Sequence, residues 1–178
     1  MIHLILTVVA IALTSMLALA TINYLPWWQK SAADTDTMVR TSLLRIEQSY
    51  DVATRAANGT APVMSGADGG FAATFVPILQ FTPALPAGYE WSYGKQAADG
   101  TRYAGLNYFC LRQTAANTSG ASEGVYRGFE RVRATFSADQ VFLTDDCATA
   151  TANLTRPAAF PALAQLKMFV SYTPGITY

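Results

Sequence analysis

From Met1 to Gln29 the chain carries no Lys, Arg, Asp or Glu, and the first charge is Lys30. Between Leu4 and Ile22, 15 of 19 residues are Ala, Val, Ile, Leu or Met; the others are Thr7, Thr14, Ser15 and Thr21. At about 1.5 Å per residue a helix of this run spans roughly 30 Å, the thickness of a bilayer's hydrocarbon core. Tyr24, Pro26, Trp27 and Trp28 follow, and amphipathic rings at this position suit a membrane–water interface. Ala18-Leu19-Ala20 resembles a signal-peptide cleavage site, but a signal also carries a basic leading region, and only His3 stands there. A single inserted span normally has Lys or Arg before its apolar run. None precedes this one, so Met1 is expected to be a mature N-terminus left when a basic leader was removed.

The next segment is amphipathic. Val39, Leu43, Ile46, Tyr50, Ala53 and Ala57 are spaced 4, 3, 4, 3, 4, one apolar stripe of an α-helix, with Arg40, Arg45, Glu47, Asp51 and Arg55 largely outside it. Glu47–Asp51 and Asp51–Arg55 are i,i+4 neighbours, one repulsive pair and one attractive. Asn58-Gly59 supplies a left-handed stop. No Gly or Pro interrupts Trp27 to Ala57, so one rod is expected, broken from the preceding helix at Pro26, whose ring removes the hydrogen bond to Ile22. The expected organisation is an apolar membrane-spanning or filament-core helix over 1–29, an amphipathic helix over 30–57 and a globular β-rich head over 58–178.

Within the head, residues 59–70 read as a Gly/Ala/Ser loop. The apolar run Phe75–Phe81 contains Pro77, which predicts an edge strand or an irregular segment. Tyr89–Tyr93 and Tyr103–Leu111 flank a stretch containing Asp99-Gly100 and predict a β-hairpin. Val125, Phe129, Val132 and Phe136 are spaced 4, 3, 4, predicting a helix capped by Ser122. Gln140–Thr144 and Lys167–Tyr172 read as further strands.

Composition narrows the functions available. Hydrophobic residues are 51% of the 178, charged residues 13%, and the net charge is zero, which excludes disorder for most of the chain and disfavours nucleic acid as a partner. Cys110 and Cys147 both lie beyond the apolar run, and an even count in an exported domain reads as one disulfide, two buried thiols being the alternative. Two distant Cys and one His make no tetrahedral metal site. Nucleophilic triads need a His, and His3 sits at the start of the apolar run. No glycine-rich phosphate loop is present. Asp145-Asp146 reads as a solvated strand end, and the acceptor patterns at Asn58, Asn117 and Asn153 are short enough to arise by chance. No catalytic residue, cofactor or metal is therefore assigned, and the chain is expected not to be an enzyme.

Taken together, an uncharged apolar helix, a Pro near its polar end, an amphipathic continuation, a β-rich head and two Cys bracketing the head's C-terminal part resemble the type IV pilins, particularly the type IVb group. The resemblance implies an α+β fold, a long N-terminal helix packed by its second half on an antiparallel sheet, with one disulfide bounding an exposed region, for which Cys110 and Cys147 are the counterparts. It implies processing that leaves an N-methylated Met1, a helix loosened at Pro26, and a filament core built from Leu4, Ile5, Val8, Val9, Ile11, Leu13, Leu17 and Ile22. The chain departs from the family at the fifth mature position, where an acid is usual and Ile5 stands. The function implied is a structural subunit of a helical homo-oligomeric filament. The monomer would rest in the inner membrane, be extruded by pilus assembly machinery, and expose its head on the bacterial surface for adhesion. Two further readings share parts of the pattern: a type II secretion pseudopilin, and a membrane-anchored periplasmic binding module. A mere tether has no need of an amphipathic helix running on without a linker.

Overall fold

The computed structural model describes residues 2–24, 26–80, 82–96, 105–114, 116, 120–136, 140–144, 147 and 165–170. Within them the chain is α+β. The elements are α1 (Ile2–Tyr24), α2 (Trp27–Ala56), α3 (Phe71–Leu79), β1 (Tyr89–Lys95), β2 (Asn107–Gln113), α4 (Glu123–Thr135), β3 (Val141–Thr144) and β4 (Gln165–Val170). The four strands form one antiparallel sheet in the order β1-β2-β4-β3. The expected hairpin is β1–β2, in register from Tyr89 opposite Gln113 to Lys95 opposite Asn107. Both later strands also form, the last beginning two residues before its expected start.

The helix break falls where Pro26 requires it. Pro26 is extended (φ −56°, ψ 123°) and accepts at its carbonyl from the Gln29 N–H at 2.8 Å, so α2 starts immediately after it. From there α2 runs 30 residues as the anticipated rod. Val39, Leu43, Ile46 and Tyr50 of the stripe are fully buried, and Ala53 packs against the same core. Ala57 is the exception: it is the exposed C-cap. Asn58 (φ 53°) and Gly59 (φ 83°) are both left-handed, and the Gly59 N–H donates to the Thr54 carbonyl at 2.9 Å, closing the helix end. Outside the stripe, Asp36–Arg40 and Asp51–Arg55 pair at 2.6 Å one turn apart.

The core lies between α2 and one face of the sheet. Alternation in the strands turns Tyr89, Trp91 and Tyr93 of β1 and Phe109 and Leu111 of β2 toward the helices. Tyr50 meets this layer edge-on at Phe109, with centroids 5.8 Å apart, and lies against Phe75 at 6.3 Å. The Asn107 Nδ2 donates to its hydroxyl at 2.6 Å, satisfying the polar end of a ring that is otherwise sealed. Burial, with Tyr50 next to it, pushes the Tyr93 phenol well above its ordinary value, so it remains a donor to the Pro62 carbonyl at 3.2 Å.

One expectation is corrected. The run around Pro77 is not a strand but the C-terminal half of α3. Asp68 organises that helix: one carboxylate oxygen accepts from the Gly70 N–H at 3.0 Å and the other from the Ala72 N–H at 2.8 Å. The start thus obtained precedes Pro77 by six residues, and the apolar ridge of Phe71 and Phe75 fills the core, outweighing the proline's lost hydrogen bond. The same loop docks on β1, the Tyr93 N–H donating to the Asp68 carbonyl at 2.9 Å, and a Cβ at Gly69 would run into the Tyr93 carbonyl.

Helix α4 forms as expected, with Ser122 capping it by accepting from the Val125 N–H at 3.4 Å. Phe129 and Val132 are buried, Val125 and Phe136 are half-buried against the same core, and the buried face also takes in Gly124, Tyr126 and Gly128. The partner helix is the reason for the glycines. A Cβ on Gly124 would lie 2.5 Å from Ser31 Cβ, and one on Gly128 would lie 2.5 Å from Thr35 Cβ. Glycine four residues apart lets the two backbones approach closer than any side chain permits.

Gly128→Ala is therefore expected to destabilise by about 1–3 kcal/mol through overpacking, whereas at an exposed helical site the same change would stabilise by about 0.5–1 kcal/mol. Urea denaturation followed by tryptophan fluorescence reads the sign. Asp68 generates a pH effect. Its two backbone N–H bonds hold its carboxyl below the ordinary value, so its contribution is present above the unfolded-state pKa and is lost as pH falls through the lower folded-state one. Thermal melts from pH 7 to pH 3 should fall less steeply at the acid end in Asp68→Asn than in the parent chain.

Candidate assembly surface

The cysteines expected to pair do so: Cys110 and Cys147 are disulfide-bonded with Cα atoms 5.8 Å apart, across 37 residues of sequence. Cys110 points to the sheet face opposite the helices, where it is buried in a second, smaller apolar cluster with Tyr108 and Phe142. The bridge thus ties β2 to the segment that leaves β3, on the side of the head away from α2.

The more unusual surface is α1. Ile5, Leu6, Val8, Val9, Ile11, Leu13, Met16 and Leu17 are between 49% and 69% exposed. At 100° per residue these eight positions are distributed around the helix rather than along one stripe, so no single docking face would cover them. The hydroxyls among them are turned inward to the backbone. Thr14 donates to the Ala10 carbonyl at 2.9 Å and Ser15 to the Ile11 carbonyl at 2.7 Å, which leaves little polar surface pointing outward. Of the positions expected in a filament core, Ile5, Val8, Val9, Ile11, Leu13 and Leu17 are exposed in this way; Leu4 and Ile22 belong to the same helix. Met1 lies outside the described residues, as do Asp145, Asp146, Asn117 and Asn153. Among the described residues no helix is long and apolar enough to cross a membrane.

Burying one such side chain is worth about 1.5–3 kcal/mol. Eight together match the whole stability of an ordinary domain, about 5–15 kcal/mol. Among the described residues, the first buried one along the helical rod is Ala32, beyond Pro26, and the α1 side chains from Ile5 to Leu17 take no part in the core.

At the junction, the two tryptophans part ways. Trp27 is 70% exposed, while Trp28 is half-buried beneath Arg127, whose guanidinium carbon stands 4.1 Å from the ring centroid. Arg127 is held from the other side by Glu123, at 2.8 Å from Nε and 2.7 Å from Nη2. Trp28 is thus part of the α2–α4 contact as well as an aromatic at the end of the apolar helix. The sequence reading missed this contact, although Gly124 and Gly128 sit four apart in a helix that it did identify.

Elsewhere, an open groove of about 430 Å³ runs between α2 and residues 82–84. Among the described residues Asp34 is the one ionisable group on its walls, beside Thr37, Met38, Thr41 and Ser42. Among the described residues no group of three or more His, Cys, Asp or Glu could hold a metal ion. Comparison with protein-family models, curated proteins and solved structures finds no match for this chain.

The disulfide closes a long loop, so Cys147→Ser should cost the head about 2–5 kcal/mol. The check is the urea midpoint of the variant against that of the parent chain with and without reductant; reduced parent and variant should coincide.

Proposed function

We propose that this chain is a structural subunit of an extracellular filament of the type IV pilin kind, polymerising through α1 with its head exposed for surface contact. The observation that carries the reading is the pairing of a head whose core is built on α2 with a helix that exposes large apolar side chains from Ile5 to Leu17 around its circumference. Such a helix requires an apolar surrounding in each state the protein occupies. In the monomer a bilayer supplies it, since the run from Leu4 to Ile22 holds no charge in 19 residues. In the filament, copies of the same helix supply it, and lipid contact is exchanged for helix–helix packing, with little apolar area passing through water. Thr7, Ala10, Thr14 and Ser15 are small enough for close approach, and their hydroxyls, where bonded, are already satisfied within the helix.

The break at Pro26 supports the same reading by separating the element that changes partners from the one that cannot. Helix α2 is committed to the head's core, while the described α1 side chains, from Ile5 to Leu17, stay exposed. The reading assigns the chain no catalytic step. Ile5 stands where the family usually has an acid, so the proposed packing has no charge to neutralise at that depth.

The test is to replace residues 1–25 with an unrelated transmembrane helix of equal length. A stable membrane-bound subunit without fibres in sheared surface material is the expected result, because a generic span anchors the head but lacks the packing surface. Fibres that persist after the exchange would mean that α1 is not the assembly element. Leu13→Lys should act in the same direction, costing about 2.5–3.5 kcal/mol for insertion alone and abolishing fibres. Lys95→Glu, at the exposed end of β1, should change stability by no more than about 0.5 kcal/mol and leave fibres intact. A pseudopilin, building only a short periplasmic structure, would leave the sheared fraction empty in the unmodified strain.

A further inference from the structure

The contact between α2 and α4 has a direction. Gly124 lies against Ser31 and the Trp28 carbonyl, and Gly128 lies one turn further along against Thr35 and the Ala32 carbonyl. The two helices therefore run parallel, and the start of α4 stands level with the first turn of α2. Trp28 is only six residues beyond Ile22, about 9 Å at helical rise and a little more across the extended Pro26. Each headgroup layer of a bilayer is roughly 5–7 Å deep, the difference between its full thickness and its hydrocarbon core. Arg127, packed on the Trp28 ring at 4.1 Å, is brought to the same level by the fold, although about a hundred residues separate the two in sequence.

We propose that the first turn of α2 and the start of α4 form one surface that seats in the headgroup layer of a phospholipid membrane, with Arg127 among the phosphates. This rests on the reading of α1 as a membrane helix and adds to it a part of the head that the sequence assigned to no interface. Four observations favour lipid as the occupant. Trp27 is 70% exposed at this level, and an amphipathic indole is at home at an interface rather than in water. The segment up to Ala33 contains no acid and one cation, Lys30, which suits the anionic side of a headgroup layer. The Arg127 side chain remains 29% exposed, and its planar guanidinium, which Glu123 engages at Nε and Nη2, has a geometry that fits phosphate oxygens. In sequence the surface also follows directly on the uncharged apolar run from Leu4 to Ile22, which the same bilayer would cover.

The consequence is a fixed posture. With only Leu25 and Pro26 between α1 and α2, the head could tilt freely on the membrane. A second attachment through α4 removes that freedom and presents every monomer in the same orientation.

The test uses the full chain in vesicles of phosphatidylcholine and phosphatidylglycerol, with its disulfide intact. Nitroxide labels are placed singly on Glu123→Cys, Arg131→Cys and Ala134→Cys, and their relaxation is measured with a nickel-chelating lipid and with a water-soluble nickel complex. Positions 123 and 134 are 11 residues apart, about 16 Å along the helix. The expected result is a gradient, the lipid chelate relaxing the label at 123 at least severalfold more than that at 134, with 131 between. Equal, water-like behaviour at 123 and 134 would overturn the proposal, as would a label at 123 shielded from both nickel reagents, which would mean that a second copy covers the surface. Flotation with the vesicles and quenching of Trp27 by brominated lipid separate the two readings. A chain that floats and is quenched but shows no gradient loses only the seat at α4, and a chain that does not float loses the membrane reading together with it.

Discussion

The buried stripe of α2 is the constraint from which the rest of the head follows. Val39, Leu43, Ile46 and Tyr50 are completely withdrawn from water, and each neighbouring element is arranged to cover them. The sheet supplies an aromatic face to Tyr50, α3 brings Phe75 against the same ring with Phe71 packed on Phe75, and α4 closes the other flank. The buried face is not purely apolar: Thr35, Ser42, Ser49 and Thr54 share it. The Ser42 hydroxyl donates to the Val39 carbonyl and the Ser49 hydroxyl to the Ile46 carbonyl, each at 2.8 Å, so small side chains narrow the helix without leaving these two hydroxyls unmet. Small volume on α2 and glycine on α4 are two halves of one solution, because a close approach needs both backbones to be uncovered at the same height.

The same helix separates two environments. On its C-terminal side, ion pairs and a left-handed double stop are features of a helix end that meets water. On its N-terminal side, the rod follows an uncharged helix whose described side chains, from Ile5 to Leu17, are exposed. Pro26 stands immediately before the rod. A proline at this place leaves the helical conformation of α2 intact from its first residue, since the missing N–H is one that a helix start would leave unpaired in any case. The break therefore costs the head nothing, while freeing α1 from its register.

Much of this was legible in the chain itself. Period 3.6 identified α2 and its buried positions because a one-sided helix must repeat its apolar residues at that interval, and Ser122 marked the start of α4 because a hydroxyl there accepts a backbone N–H. The disulfide followed from an even count of cysteines beyond the apolar run. The Phe75–Phe81 run misled because strand and helix are indistinguishable in a short apolar stretch, and Pro77 argued against both. The carboxylate that decided the matter, that of Asp68, lies nine residues upstream of Pro77 in what reads as featureless loop.

What the sequence determined alone was distribution: where charge stops, where apolar residues repeat, and where the backbone must break. Those are properties of the chain at close range, governed by hydrogen-bond geometry and transfer from water, and they need no neighbour to act. Only the tertiary structure decided which surfaces meet. Gly124 and Gly128 have no meaning until Ser31 and Thr35 stand opposite them, and Arg127 is an ordinary i,i+4 partner of Glu123 until the fold lays it over Trp28. Such contacts depend on the relative height and facing of elements about a hundred residues apart. That geometry is set by the packing of whole layers, and no local pattern encodes it.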